Sequence, residues 1–437
     1  MNWETLFFFQ ATALYQLAAF PFAILFHYLC ASGNLSINAR YTFLLVGGFL
    51  LAWAAMGCYA LLLLISAFSS LAVIRSAGPQ QVHTWAFFVQ MTWQTLCHLG
   101  LHYKEYYLQE AASNLLLCFR LPIALSALML MTQKVTSLAL DIHENKVRVG
   151  LPSEERRSFC WHLLQALPLC TYLLCFPTLL GGPLCSFHRF QAWVRYSKAP
   201  FSSGLLWAAT QKGLGALTLG LLNNIVRGYI SALDNLIDCT HFDCVYVVWS
   251  SALSFRLTYY SHWLLDESLF LAAGLGLDLG HHQCPAAADR VVMDTDIWTL
   301  ETTNTIAGFT RTWNKSTAQW LRRLIFQQSN SHPLLATFAF SAWWHGLRPG
   351  QVFGFLCWAV MVEADYRFHR FLGSVAKSRL QRLLYQTVTW CHTQLVVAYI
   401  MIAVEMRSVS MLWQLLSSYN SFFPLVSVTV LLLLVKK

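Results

Sequence analysis

Tyr41-Thr-Phe-Leu-Leu-Val-Gly-Gly-Phe-Leu-Leu-Ala-Trp-Ala-Ala-Met-Gly-Cys-Tyr-Ala-Leu-Leu-Leu-Leu-Ile65 decides the fold class. No charge interrupts the run. It exceeds the roughly 20 apolar residues that cross a hydrocarbon core about 30 Å thick. In lipid only a helix or a closed barrel satisfies every backbone polar group. A barrel strand alternates apolar and polar side chains, and neither this run nor Phe422–Val435 does so. The surroundings agree: the chain has 437 residues, 57% hydrophobic and 11% charged, against roughly 25% charged in soluble domains. The expected fold is an all-α polytopic membrane protein.

The sequence predicts spans at 3–30, 41–65, 85–101, 121–140, 163–181, 205–226, 245–264, 334–346, 351–366, 387–404 and 422–435, in one membrane-embedded domain over 1–437. Residues 66–74, short and flanked by Ser and Gly, read as a re-entrant candidate. Met1–Leu6 lacks a basic region, so Trp3–Cys30 reads as a retained first helix rather than a signal peptide. Trp320–Phe326 is amphipathic and reads as a piece lying on the membrane surface.

Net charge is +9. The excess lies in short loops, where it sets orientation, so nucleic-acid binding is set aside. Loop 141–160 holds Lys146, Arg148, Arg156 and Arg157. Loop 367–386 holds Arg367, Arg370, Lys377, Arg379 and Arg382, and Lys436 and Lys437 end the chain. With all three cytosolic, the C-terminus is cytosolic and His345 lies deep in the membrane or nearer the lumen.

Thirteen cysteines are scattered, without a CxxC. Cys239-Thr-His-Phe-Asp-Cys244 is the one tight cluster, and a disulfide suits it better than a metal. His281-His-Gln-Cys284 lacks a second ligand half, so no metal site is expected. Asn34-Leu-Ser and Asn314-Lys-Ser match the glycosylation sequon.

Chemistry concentrates in Thr337-Phe-Ala-Phe-Ser-Ala-Trp-Trp-His-Gly-Leu-Arg-Pro-Gly350. An ionisable imidazole in an apolar, intramembrane setting is costly and needs a partner or a task, and histidine suits proton transfer. Counting back along a helix, Ala342, Ser341 and Phe338 share the face of His345. The small residues leave room for a substrate, and Phe338 can line an apolar slot that Phe353, Phe355 and Trp358 close. Trp343, Trp344 and Phe340 mostly point elsewhere as packing. Taken alone, His345 reads equally as a buried histidine satisfied by a carbonyl, and each aromatic as core. Asn314, in Phe309-Thr-Arg-Thr-Trp-Asn-Lys-Ser-Thr317, adds a neutral donor and acceptor. A base and an amide donor suffice for acyl transfer.

Arg311-Thr-Trp-Asn314 and Trp343-Trp-His345 resemble the paired Asn and His motifs of the membrane-bound O-acyltransferases. The resemblance extends through Gln80–His83, Trp93–Tyr103, Leu257–Trp263, Asp296–Glu301 and Val362–Tyr366. It implies about eleven helices around a catalytic chamber inside the bilayer, in a multi-pass protein of the endoplasmic reticulum. His345 would be the catalytic base and Asn314 its polar partner. The donor would be octanoyl-CoA or a similar medium-chain acyl-CoA, a substrate rather than a bound cofactor. The acceptor would be a serine hydroxyl near the N-terminus of a peptide. Arg311 would meet the donor's phosphates or pantetheine, and Trp313, Phe338, Ser341, Trp344 and Trp358 would complete the substrate contacts. Two readings stand beside this one: a lipid or other protein as acceptor, and a transporter, whose paired repeats with broken helices are not visible.

Overall fold

A computed structural model describes residues 11–107, 115–147, 159–196, 203–234, 243–275, 296–372 and 378–435, and every regular element among them is helical. The chain divides into two compact units, Met1–Leu217 with His262–Met293, and Thr218–Ser261 with Asp294–Lys437.

The first unit contains α1 (Ala11–Ala31), α2 (Ile37–Met56), α3 (Ala60–Ser76), α4 (Val82–Tyr107), α5 (Leu115–His143), α6 (Phe159–Leu174) and α7 (Phe187–Tyr196). It also takes the start of α8 (Ser203–Asp234) and the end of α9 (Asp243–Ala272). The apolar run at 41–65 is interrupted. Gly57 caps α2 at φ 58°, donating its N–H to Trp53 O. Glycine takes that left-handed conformation without the Cβ penalty, and a short turn follows before α3.

Residues 66–74, read from sequence as re-entrant, instead continue α3. The serines that suggested a break are satisfied within the helix and across to α4. Ser70 Oγ donates to Ser66 O at 2.5 Å, and Ser66 Oγ to Gln90 Oε1 at 2.8 Å. Thr132 Oγ1 likewise donates to Gln94 Oε1 at 2.7 Å. Such polar contacts help join helices whose apolar faces gain little over lipid. Lys134 is buried but satisfied, its ammonium donating to Thr178 O and Thr178 Oγ1 at 2.7 and 3.0 Å.

The second unit takes the rest of α8 and α9. It adds α10 (Ile297–Thr302), α11 (Ile306–Thr312), α12 (Lys315–Leu321), α13 (Pro333–His345), α14 (Pro349–Leu372), α15 (Arg379–Glu405), α16 (Val409–Ser417) and α17 (Phe422–Val435). Here α14 packs against α13, α15 and α17. Three short α-helices and a π-helical turn at Arg322–Phe326 precede α13, and the three are each opened by a side-chain cap: Asp296 accepts from Thr299 N, Thr305 from Gly308 N and Asn314 from Thr317 N. These caps satisfy backbone donors that a helix leaves open at its start. Trp320, at the start of the amphipathic piece Trp320–Phe326, is buried against Phe340 and Trp344 of α13. Its indole covers the apolar face that α13 turns toward it.

Four helical stretches among the described residues are long and apolar enough to cross a membrane: Thr12–Ala31, Ile37–Ser76, Arg120–His143 and Arg379–Glu405. A fifth is a pair, Val409–Ser417 and Tyr419–Leu433, bent by 71°. Cys244 is disulfide-bonded. Cys239, the cluster at His281–Cys284, and Arg148, Arg156, Arg157, Lys377, Lys436 and Lys437 lie outside the described residues.

Candidate active site

His345 is the last residue of α13. Gly346 follows at φ 116°, with its N–H on Trp343 O, and Leu347 N–H reaches back to Ala342 O at 3.1 Å. This closing turn satisfies two terminal carbonyls of the helix and leaves the imidazole at its carbonyl end. Leu347 itself sits at φ 62°, a conformation a leucine adopts only under tertiary constraint.

From His345 an aromatic ladder runs into α14. Its ring stacks on Phe355, centroids 4.8 Å apart and planes at 24°. Phe355 stacks on Trp358 at 6.4 Å, and Trp358 on Phe338 at 5.9 Å. Trp358 also touches Phe309 of α11, on which Trp313 stacks at 5.6 Å. Phe338 and Trp358 are 8% and 7% exposed. The two slot candidates thus stand against each other, one helical turn or more from His345.

Asn314 stands between α11 and α12 in the left-handed region, φ 49° and ψ 71°. Asparagine is among the few non-glycine residues that visit this region routinely. Its Oδ1 accepts from Thr317 N at 3.2 Å and Ser316 Oγ at 3.4 Å. Capping therefore fixes which end of the amide is oxygen. The Nδ2 group makes no hydrogen bond among the described residues, and the side chain is half-buried. A pre-placed N–H donor of this kind can stabilise a developing oxyanion.

The remaining site candidates divide. Arg311 is exposed, with Nε on Ala307 O at 3.2 Å. One donor is held by its own helix while the guanidinium stays open to solvent. Trp313 caps α11 within an aromatic cluster of α9, 5.5 Å from Tyr259 and 6.0 Å from Tyr260. Ser341 is buried and its hydroxyl donates to Thr337 O at 2.9 Å. Trp344 meets the His345 ring edge-on at 4.7 Å and packs on Trp320 at 5.1 Å. Trp344 thus packs on Trp320 while standing beside the imidazole.

The structure adds residues that the sequence reading did not select. Glu301, ending α10, accepts from Tyr260 OH at 2.8 Å and pairs with Arg256 Nη1 at 3.2 Å. Arg256 also donates to Gln394 Oε1 at 2.5 Å, and Trp390 Nε1 donates to Glu301 O at 2.7 Å. Further along, Asn304 Nδ2 donates to Thr389 Oγ1, Ala307 N to Asp365 Oδ2, and Trp358 Nε1 to Thr310 Oγ1. The segment leading to Asn314 is therefore pinned at nearly every turn to α9, α14 and α15. The sequence signal was Arg256, a cation inside an apolar run. Beyond Asn314, Lys315 Nζ donates to Asp296 Oδ2 at 2.9 Å, and that ammonium holds the Asp296 carboxyl below its ordinary range.

His345 thus closes one helix beside a row of aromatic rings, and Asn314 opens another with its oxygen committed to a cap. The chain belongs to the membrane-bound O-acyltransferase family, which matches residues 3–405, and it is an O-acyltransferase. Membrane-bound ghrelin O-acyltransferase MBOAT4 of Rattus norvegicus is 54% identical over 438 residues, covering 100% of this chain and 99% of that protein. Its Mus musculus counterpart is 54% identical over 440 residues with the same coverage. Membrane-bound glycerophospholipid O-acyltransferase 2 of Homo sapiens is 27% identical over 455 residues, covering 97% of this chain and 84% of that protein.

Proposed function

We propose that this chain transfers an octanoyl or similar medium-chain acyl group from coenzyme A to a serine hydroxyl near the N-terminus of ghrelin, with His345 as general base. The observations that support the mechanism are the stacking of the His345 ring on Phe355 and, separately, an Asn314 amide whose oxygen is committed to a cap. Full-length similarity to proteins named for ghrelin supports the acceptor.

A thioester is already activated, whereas a serine hydroxyl is a weak nucleophile that needs a base. The imidazole of His345 takes the hydroxyl proton as serine Oγ attacks the carbonyl carbon. Asn314 Nδ2 donates to the oxyanion. The C–S bond then breaks, and the imidazolium returns its proton to the departing coenzyme A thiolate, giving the ester and free thiol. The negative end of the α13 dipole faces the cation formed midway. The alkyl tail lies along Phe355, Trp358 and Phe338, while the small side chains of Ser341 and Ala342 leave room for substrate beside the imidazole. Arg311 meets the donor's phosphates or pantetheine, and Trp313 and Trp344 hold the asparagine and histidine from behind. The reading places the protein in the endoplasmic-reticulum membrane with a cytosolic C-terminus, the donor entering from the cytosol and the peptide from the lumen.

The test is acyl transfer in microsomes expressing the chain, with octanoyl-CoA and a ghrelin N-terminal peptide, comparing wild type with His345→Ala. Esterified peptide from wild type alone is expected, with a loss of roughly 10²–10⁴-fold in the variant. Label appearing in phospholipid instead would replace the peptide acceptor with a lipid one. Equal loss of folded protein and of activity in the variant would make His345 structural.

A further inference from the structure

The second unit contains a cavity of about 260 Å³ that none of His345, Asn314, Phe338 or Trp358 lines. It lies among α11, α14, α15 and α17. Ile306, Phe368, Val388, Val426 and Val430 give it apolar walls. Val388 is 57% exposed, and Leu384, Leu425 and Leu433 on the outer faces of α15 and α17 are exposed too. The cavity therefore meets the surface where the chain faces lipid tails.

Its polar groups have unequal roles. Asp365 is spoken for: Oδ2 accepts from Ala307 N at 3.0 Å, and Oδ1 lies 3.2 Å from His369 Nε2. His369 Nδ1 is in turn 2.5 Å from Tyr385 OH. No group of three His, Cys, Asp or Glu among the described residues can hold a metal ion. His392 keeps Nε2 near Phe423 O and Ser427 Oγ, at 3.3 and 3.4 Å, while its Nδ1 makes no hydrogen bond among the described residues. The deep wall thus offers a polar spot, with the Asp365 carboxylate held by Ala307 N and His369.

Toward the ends of α14 and α15 that adjoin His369 and Tyr385, the surface is basic. Arg370 follows His369. Arg382 lies seven residues before Thr389, on the same face of α15, and Arg379 one turn further. All three are exposed. A basic rim beside an apolar crevice between membrane helices suits an anionic lipid headgroup.

We propose that this cavity seats part of one acyl chain of an anionic glycerophospholipid, whose phosphate rests on Arg370, Arg379 and Arg382. At about 260 Å³ it falls just below the usual range of pockets for whole small molecules, so it takes a chain segment and leaves the rest in the bilayer. A chain moving from bilayer to cavity gains no hydrophobic energy, because lipid is as apolar as leucine. Selectivity must then come from the headgroup, at roughly fivefold per arginine near the surface. The inference rests on the orientation given above only for its leaflet: with loop 367–386 cytosolic, the site faces the leaflet richer in anionic lipid.

The full-length protein is reconstituted in nanodiscs of equal phosphatidylserine and phosphatidylcholine, and the lipids retained on ejection are identified by native mass spectrometry. Wild type is expected to retain phosphatidylserine over phosphatidylcholine by about tenfold or more. Arg379→Gln with Arg382→Gln, both at the exposed surface, lowers that ratio toward the roughly fivefold left to Arg370. Ser427→Phe, which fills the cavity, lowers the amount of either lipid retained. Equal retention by wild type, a ratio unmoved by the arginine pair, or retention of a sterol or free fatty acid in place of phospholipid overturns the proposal. The readout is independent of acyl transfer, so an inactive preparation still decides it.

Discussion

The indole Nε1 of Trp358 donates to Thr310 Oγ1 at 2.7 Å, fastening the slot wall on α14 to the helix that leads to Asn314. One hydrogen bond thus ties the proposed acyl slot to the run of short helices that leads to Asn314. Thr310→Val keeps the volume and removes the acceptor. The stranded buried indole costs about 1–3 kcal/mol. Acyl preference should broaden and turnover fall together, read as kcat/KM over a series of six- to twelve-carbon acyl-CoA donors. Unchanged preference would confine Trp358 to packing.

Phe338 stacks on Trp358, with ring centroids 5.9 Å apart. Phe338→Ala should lengthen the slot and move the optimum toward longer chains. Each added methylene that finds cover is worth roughly 0.8 kcal/mol. A competition between eight- and ten-carbon donors measures the shift, and an unmoved ratio would remove Phe338 from the slot.

Asn314 combines a cap with a donor, and the two separate by substitution. Asn314→Asp retains the accepting oxygen and the tolerance for a left-handed φ, but loses Nδ2. Folding should hold to within about 1 kcal/mol, while turnover drops roughly 10²–10³-fold. Thermal melting in detergent beside acyl transfer distinguishes the two roles. Near-normal turnover would take the amide out of the chemistry.

The Glu301–Arg256 pair is lopsided: the arginine side chain is 1% exposed and the glutamate 33%. Glu301→Gln leaves a buried cation short of its counter-charge and should cost about 3 kcal/mol. Arg256→Met should cost less, because the abandoned carboxylate can reach water. Melting temperatures in the reverse order would show that Gln394 and Tyr260 hold the segment without the ion pair.

Lys315 keeps the Asp296 carboxyl below its ordinary value of 3.8. A depressed folded value means the tie contributes stability above the ordinary carboxylate range and loses it as pH falls through the folded value. Wild type should therefore lose stability at the acid end more steeply than Asp296→Asn, seen as converging melting temperatures below about pH 4. Parallel acid profiles would contradict the pairing.

Class and chemistry were legible in the sequence for different reasons. Uninterrupted apolar runs gave the helical membrane fold, since backbone satisfaction in lipid leaves few options. Helical spacing put Phe338 and Ser341 on one face of α13, and both are buried. The extent of α3 was not, because Ser66 and Ser70 look like breakers until Gln90 of a distant segment accepts from one of them. The pinning of Glu301 was hidden for the same reason: its partners lie about forty residues upstream and ninety downstream in the chain. The committed oxygen of Asn314 depends on a left-handed turn that no periodicity announces.

That turn has a consequence for how the protein ages. Asparagine is a thermally fragile residue, and hydrolysis of its side-chain amide yields aspartate. At most positions such damage is either harmless or unfolds something. At Asn314 the product would still cap α12 and still tolerate φ 49°, yet would present oxygen where the donor had been. If Asn314 is the donor proposed above, old molecules would remain folded, inserted and countable by antibody while contributing roughly 10²–10³-fold less turnover. Specific activity, rather than abundance, would then record the age of a membrane preparation.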